Sequence, residues 1–325
     1  MKPTLSTVSA AIAAVAVAAA TVAFVAPSLA GPGSDKGEAP GGPIAASIYT
    51  DEISDYGVCR GVDPSCYHDW GAGWKEGEDK SILIWSRTAG PRHAHLGTAL
   101  GPGMNPPLNP NNVAQANLKA WAEEQGIEVD YTEDLSQFRP NNYNAVVFLS
   151  SNRDTLDDTA QTSLKQYLRQ GGGFVGIHNA FGAEYSFPYY EGLLGGANFY
   201  NHGPNRDGTV ETVNSKDVST AGLPKEWAFK DEWYNLIPFP SFVNVLAEVD
   251  AETSLEPSGV AGEAAHGEVH PVSWCHYYDG GRAWLTTLGH DVAAWTDAPL
   301  AGDAYFKEHV VNGVLSAMGV EEFCQ

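Results

Sequence analysis

Short apolar runs alternate with longer segments of helical periodicity between residues 81 and 178. The apolar runs predict strands at SILIWS (81–86), IEVDYTED (127–134), NAVVFLSS (144–151) and FVGIH (174–178). Helices are predicted between them, at NNVAQANLKAWAEEQG (111–126) and after a cap at Thr155. This rhythm predicts a parallel sheet with right-handed crossovers, with functional groups beyond the carboxyl ends of the strands.

The second half has a different pattern, in which strands follow one another. They are predicted at GTVETV (208–213), FVNVLAEV (242–249), EVHPVSWCHYY (268–278) and GRAWLTTLG (281–289). Asp279-Gly280 joins the last two strands and is a strong hairpin signal. A final helix is predicted from about Asp303 to Met318.

The first thirty residues differ from the rest. An Ala/Val-rich run follows Lys2 and ends in Ser28-Leu29-Ala30, which predicts a secretory signal peptide (1–30) cleaved after Ala30. An uncleaved anchor helix is the alternative. Residues 31–78 are predicted to be a Gly/Pro-rich linker with a disulfide-pinned extension, followed by the main domain at 79–325.

Export changes the expected state of the four cysteines. An even number of cysteines in an oxidising compartment favours two disulfides. Cys59 with Cys66 would close a small loop, and Cys275 with Cys324 would tie a late strand to the C-terminus. Free buried thiols remain the alternative for the second pair.

The formal net charge is −22, and apolar residues make up 43% of the chain. The composition supports a folded core, whereas the charge repels nucleic acid and anionic membranes. A small neutral molecule is therefore the expected partner, with no stable membrane insertion after cleavage. The oligomeric state stays open.

Polar residues that carry chemistry are placed at predicted strand ends or loops. His93 and His95 follow the first strand, and His178 ends the fourth. The others are His202 in a predicted loop, Asp231, Glu232 and Tyr234 in KDEWYN, His270 before the hairpin and His290 after it. Such groups suit either acid–base catalysis or a metal site. Because no HExxH-like spacing is present, no cofactor is predicted, and a divalent metal is left open.

Six motifs occur in order along the chain: RTAGPRH (87–93), GGGFVGIHNAF (171–181), LLGGANFYNH (193–202), KDEWYN (230–235), HPVSW (270–274) and GRAWLTTLGHD (281–291). Together they resemble the ThuA-like (trehalose-utilisation) family over roughly residues 80 to 320. The resemblance implies an α/β fold, flavodoxin-like and similar to class I glutamine amidotransferases. We expect a three-layer sandwich with a mainly parallel sheet and a C-terminal β-hairpin. The resemblance also implies carbohydrate metabolism.

The same resemblance bears on the candidate site. The catalytic candidates are His178, His202, Asp231, Glu232 and His290. The substrate-binding candidates are His93, Asn179, Tyr234, His270 and Trp274. Amidotransferases carry a nucleophilic cysteine at the elbow after this strand, where the chain has His178. An imidazole cannot form the thioester, so glutaminase activity is not expected.

These observations support a secreted enzyme that cleaves or processes a neutral glycoside or an oxidised (3-keto) sugar by His/carboxylate acid–base chemistry. A 3-keto sugar would permit elimination started by a histidine base. A non-catalytic carbohydrate-binding protein on the same fold and a metal-dependent hydrolase are the alternatives.

Overall fold

The computed structural model describes residues 57–250, 253, 266, 269–296 and 302–325. The predicted signal peptide (1–30) and the predicted linker up to residue 56 lie outside these ranges. Among the described residues, no helix combines the length and the apolar character needed to cross a membrane.

A ten-stranded sheet runs through the described part of the chain, in the order β3-β2-β4-β5-β12-β11-β10-β7-β8, with β1 paired to β11. Its strands are β1 Arg60–Gly61, β2 Lys80–Trp85, β3 Ile127–Thr132, β4 Ala145–Leu149, β5 Gly173–Ile177, β7 Arg206–Thr212, β8 Glu226–Asp231, β10 Asn244–Val249, β11 Pro271–Tyr278 and β12 Gly281–Thr286. A separate two-stranded sheet pairs β6 Phe199–His202 with β9 Tyr234–Leu236.

The central sheet changes direction at β12. Strands β3, β2, β4, β5 and β12 are parallel to one another, whereas β11, β10, β7 and β8 continue as antiparallel neighbours. β11 and β12 are joined by the predicted hairpin turn, in which Asp279 has φ 46° and Gly280 has φ 96°. Both values lie in the left-handed region that a two-residue type I′ turn requires.

Helices cover both faces of the sheet. They are α1 Val113–Glu124, α2 Asp158–Arg169, α3 Pro188–Leu193 and α4 Asp303–Met318. The helices α1 and α4 supply Trp121, Phe306 and Val310 to one apolar core, and α2 and α3 supply Leu164 and Tyr190 to the other. The three-layer α/β architecture with a mostly parallel central sheet is therefore confirmed.

Both predicted disulfides are present. Cys59 pairs with Cys66, and Cys275 in β11 pairs with Cys324 near the C-terminus. Among the described residues, no cysteine is free.

Two local predictions are wrong. The residue that caps α2 is Asp157, whose side chain accepts from the backbone N–H of Ala160 at 2.8 Å, whereas Thr155 donates to Glu184. His202 was expected in a loop and instead ends β6. The strands β6, β8 and β9 were not predicted, because such short runs carry little periodicity.

Candidate functional site

Four side chains from distant parts of the sequence meet at the carboxyl edge of the sheet. His93 follows β2, His178 follows β5, Glu232 follows β8 and His290 follows β12. One nitrogen or oxygen atom from each lies within 4.8 Å of those of the other three. We call these four residues the histidine–glutamate cluster. The expected convergence of strand-end residues is thus observed.

The backbone turns sharply where His178 enters the cluster. Its φ is 50°, and a 3-10 turn over His178–Gly182 begins there. A left-handed conformation at a residue with a Cβ costs about 1–2 kcal/mol, so the surrounding packing must hold it. Ser150, at the end of the neighbouring strand β4, has φ 47°. His178 therefore occupies an elbow at the point where ligands bind in such sheets.

The hydrogen bonds of His178 fix its tautomer. Its Nδ1–H donates to the carbonyl oxygen of Thr287 at 2.8 Å, because a carbonyl can only accept. Its Nε2 therefore carries a lone pair, and the hydroxyl of Tyr234 donates to it at 2.9 Å. Burial, together with the nearby imidazoles of His93, His95 and His290, holds the pKa of His178 well below its ordinary value. The ring is therefore neutral.

Glu232 is the carboxylate at the centre of the cluster. Its Oε2 lies 2.9 Å from Nδ1 of His290, 3.7 Å from Nε2 of His202 and 3.9 Å from Nε2 of His93. Burial acts to raise the pKa of Glu232, but these imidazoles outweigh it and lower the pKa to about 2. Burial acts to lower the pKa of His290, and Glu232 outweighs it, so this pKa is raised.

Asp231 lies behind the cluster and has no exposed surface. Its carboxylate accepts backbone N–H groups from Glu232 at 2.8 Å, Gly289 at 2.7 Å and His290 at 3.2 Å. Burial raises the pKa of Asp231 to about 7, although these N–H donors lower it. A Cβ at Gly289, where φ is 121°, would lie 3.1 Å from both Phe306 and Trp295. Asp231 thus joins the end of β8 to the loop after β12 and positions two cluster residues.

His95 holds the backbone of the cluster residue His290, a role that the sequence did not predict. Its Nδ1–H donates to the carbonyl oxygen of His290 at 2.9 Å, and its Nε2 accepts from the hydroxyl of Ser150 at 2.8 Å. Burial and the neighbouring His93 lower the pKa of His95 to about 3. The proximity of His95 to His93 in sequence was the available signal for this role.

His202 lies at the open side of the cluster. Its side chain is 36% exposed, compared with 25% for His290 and 15% for His93. Its Nδ1–H donates to the carbonyl oxygen of Gly203 at 2.6 Å, so Nε2 carries the lone pair. The half-buried ring of Phe199 lies 5.8 Å from the His202 ring.

The other predicted site residues lie outside the cluster. His270 is buried and donates through Nε2 to the carbonyl oxygen of Tyr234 at 2.8 Å. Trp274 has no exposed surface and packs against Phe181, so its ring belongs to the core and is not available to stack on a sugar. Asn179 follows the elbow and is 3% exposed.

Comparisons with known proteins agree with this fold. A family model described as "ThuA: Trehalose utilisation" matches residues 81–317. A solved ThuA-like protein from Bacteroides uniformis ATCC 8492 has 21% identity and a TM-score of 0.56, with 76% of this chain and 96% of that chain covered. A second, from Parabacteroides merdae ATCC 43184, has 19% identity and a TM-score of 0.52, with 74% and 90% covered. These similarities show a shared fold. No curated protein matches the chain.

Proposed function

This chain belongs to the ThuA (trehalose utilisation) family, and on that premise we propose that it is an exported enzyme that processes a neutral glycoside in its oxidised, 3-keto form. One observation carries the proposal: an accessible imidazole with a free lone pair, His202, lies beside the Glu232–His290 pair. The arrangement suits removal of a proton next to a carbonyl group.

His202 is the base in this proposal. Its proton is held on Nδ1 by the carbonyl of Gly203, so Nε2 is able to accept a proton from a substrate. It is also the most exposed of the three histidines around Glu232, which allows contact with a bound sugar.

His290 supplies a positive charge that opposes the negative charge developing on the substrate. Glu232 raises its pKa, which favours the protonated imidazolium at the open side of the cluster. An imidazolium at this position stabilises the negative charge that develops on the substrate and returns a proton to the leaving group.

The reaction we propose is an elimination. His202 takes the proton from the carbon between the keto group and the anomeric carbon, and the C–H electron pair forms a double bond to the anomeric carbon. The bond between the anomeric carbon and the glycosidic oxygen breaks, and that oxygen takes a proton from His290. The products are an unsaturated keto sugar and a free alcohol. A separate sugar-oxidising enzyme must supply the keto group.

The carboxylates of the site favour elimination over direct hydrolysis. Glycoside hydrolysis normally needs two carboxyl groups that reach the scissile bond. Glu232 is 13% exposed, but Asp231 is fully buried and its oxygens are occupied by backbone N–H groups. Elimination with His202 as the base and His290 as the acid does not require a second carboxyl group at the scissile bond.

Two further properties support a neutral sugar as the substrate. The net charge of −22 disfavours anionic ligands. The half-buried ring of Phe199 lies close to His202 and is suited to packing against a sugar face.

The test is turnover of matched substrates in D₂O. We expect release of the alcohol from 3-keto-glucosides and no release from the parent glucosides. NMR should show deuterium exchange in the remaining 3-keto-glucoside at the carbon between the keto group and the anomeric carbon, the position that the base deprotonates. Binding of sugars without conversion of any member of a broad panel would contradict the enzyme and favour a carbohydrate-binding protein. Release from unoxidised glucosides at a similar rate would contradict elimination.

A further inference from the structure

The four residues of the histidine–glutamate cluster have the composition of a metal site. Three imidazoles and one carboxylate are typical ligands of zinc and of other divalent first-row metals. Their candidate ligand atoms all lie within 4.8 Å of one another. Ligand atoms on a single ion, each bound at about 2.1 Å, lie roughly 3–4 Å apart. Closing the set around an ion therefore requires only small side-chain movements.

We propose that His93, His178, Glu232 and His290 bind one divalent metal ion, with Zn²⁺ as the first candidate. The proposal deepens the proposed function, since it concerns the same site and rests on that function for the role of the ion in the reaction. The binding of the ion is argued from ligand geometry alone, so it can be tested without a sugar substrate.

The hydrogen bonds around His178 resemble those of a metal ligand. Histidine ligands usually donate their second ring N–H to a carbonyl or carboxylate, which fixes the ring. Nδ1 of His178 donates in this way to the carbonyl of Thr287, and Nε2 is left as the ligand atom. In the metal-free protein the hydroxyl of Tyr234 donates to Nε2, and metal binding requires this hydroxyl to be displaced.

One other ring nitrogen of the cluster has unsatisfied hydrogen-bonding capacity. Nδ1 of His93 is buried and has no hydrogen-bond partner within the described part of the chain. Because buried polar atoms are nearly always paired, this nitrogen indicates a missing partner.

The imidazole rings of the histidine–glutamate cluster pack directly against one another. The ring of His93 lies 4.7 Å from that of His178 and 5.4 Å from that of His290, and the last two rings are 5.4 Å apart. Rings this close bring their nitrogen atoms into one small volume, as imidazole ligands of a single ion do. Asp231 and His95 hold the backbone of Glu232 and His290 and supply the outer support.

His202 lies outside the mutually close set and borders its open side. With an ion bound, His290 would serve as a ligand and the leaving oxygen would take its proton from solvent water, while the ion would stabilise the negative charge on the substrate oxygen. His202 would remain free to act as the base. The base His202 is therefore not one of the proposed ligands, whereas His290 is shared, so variants of His202 and variants of the ligands Glu232 and His93 test the two proposals separately.

The experiment measures metal bound to the full-length purified protein. The protein is stripped with a chelator, incubated with Zn²⁺ or Co²⁺ and freed of unbound ion, and its metal content and Co²⁺ absorption spectrum are recorded. We expect one ion per chain and a spectrum typical of nitrogen and oxygen ligands. Less than one tenth of an ion per chain with both metals would overturn the proposal.

Variants locate the ion. Glu232→Gln and His93→Ala are expected to weaken Zn²⁺ affinity at least 100-fold while circular dichroism shows a native fold. The control His68→Gln alters a histidine whose Nδ1 bonds to the carbonyl of Arg169, away from the cluster, and is expected to keep full affinity. Equal losses in His68→Gln and in the cluster variants would refute the assignment, as would full affinity in Glu232→Gln.

If Glu232→Gln fails to fold, X-ray absorption of the Zn²⁺-loaded native protein decides the question. Three imidazole ligands would support the site, and an ion surrounded mainly by oxygen would overturn it. Failure of the metal proposal is distinguishable from failure of the proposed function. Turnover of keto sugars that persists in the presence of a chelator would contradict only the metal proposal. Bound metal without turnover would contradict only the proposed enzymatic function.

Discussion

The hydroxyl of Tyr234 donates to Nε2 of His178 at 2.9 Å, and neither side chain is more than 1% exposed. This bond joins the small β6–β9 sheet to the elbow after β5. It also occupies the nitrogen that would face a metal ion. The tyrosine hydroxyl and the ion are therefore competitors for the same lone pair.

Tyr234→Phe should separate the two roles of this bond. Loss of a buried hydrogen bond is expected to lower the free energy of unfolding by about 1 kcal/mol in urea titrations of the metal-free protein. Zn²⁺ affinity should be unchanged or higher, because the competing hydroxyl is gone. Tyr143→Phe removes a comparable bond to Asp130 on β3 and should leave Zn²⁺ affinity unchanged. A tenfold weaker Zn²⁺ affinity in Tyr234→Phe alone would contradict this competition.

His202→Gln is expected to lower kcat on a 3-keto-glucoside by about 10²–10⁴-fold, the usual contribution of a positioned base. KM should change only a few-fold, and the metal content should stay the same, since His202 is not one of the four proposed ligands. Steady-state kinetics and metal analysis on the same preparation measure all three. His68→Gln serves as the control, and a kcat within threefold of the native value in His202→Gln would exclude His202 as the base.

Asp231→Asn is expected to destabilise the protein by about 1–3 kcal/mol, because two carboxylate oxygens accept three backbone N–H groups and the amide, with one acceptor oxygen, leaves at least one buried N–H unsatisfied. The same change should weaken Zn²⁺ binding, since Asp231 positions Glu232 and His290. Urea unfolding and Zn²⁺ titration measure the two effects. Native stability with native affinity would show that the second carboxylate oxygen is not needed to join the end of β8 to the loop after β12.

The two disulfides should differ in their contribution to stability. Their cysteines are 7 and 49 residues apart, so loop-closure entropy predicts about 2 kcal/mol for Cys59–Cys66 and about 4 kcal/mol for Cys275–Cys324. Double substitution of each pair by Ala, followed by urea unfolding, gives the comparison. Equal losses, or a larger loss for the first pair, would contradict the entropic account.

Glu184 should make stability depend on pH. Burial raises its pKa to about 7, against hydrogen bonds from Thr155 that lower it, while the unperturbed value is 4.5. The folded state thus holds this proton more tightly than the unfolded state. Its stabilising effect is full below about pH 4.5 and is lost as pH rises through 7, roughly 3 kcal/mol in total.

Glu184→Gln should therefore flatten the change in unfolding free energy between pH 5 and 8 relative to the native protein. Urea titrations at constant ionic strength measure it. The exposed Glu128→Gln is the control and should keep the native slope. An unchanged slope in Glu184→Gln would mean that the buried carboxyl is ionised throughout this range.

The parallel half of the fold was predictable because β4 and β5 are short runs buried along their whole length, and the helices α1 and α2 separate β2 from β3 and β4 from β5. His178 could be placed at the sheet edge for the same reason. Trp274 could not be oriented in this way. Every residue of β11 is buried, so alternation along the strand does not reveal which side chains face the site. The contact between Asp231 and the backbone N–H of Gly289 could not be predicted either. The two residues are 58 positions apart, and only the direction of the Asp231 side chain brings them together.

The cluster draws His93 and His178 from the parallel half of the sheet, and Glu232 and His290 from segments that flank its antiparallel half. Contacts of such high sequence separation carry a large loop-closure entropy and are slow to form. A chain that has folded only as far as β5 contains two of the four side chains and no carboxylate among them. Metal loading would therefore report completed folding, and the protein would acquire its ion only once both halves have docked.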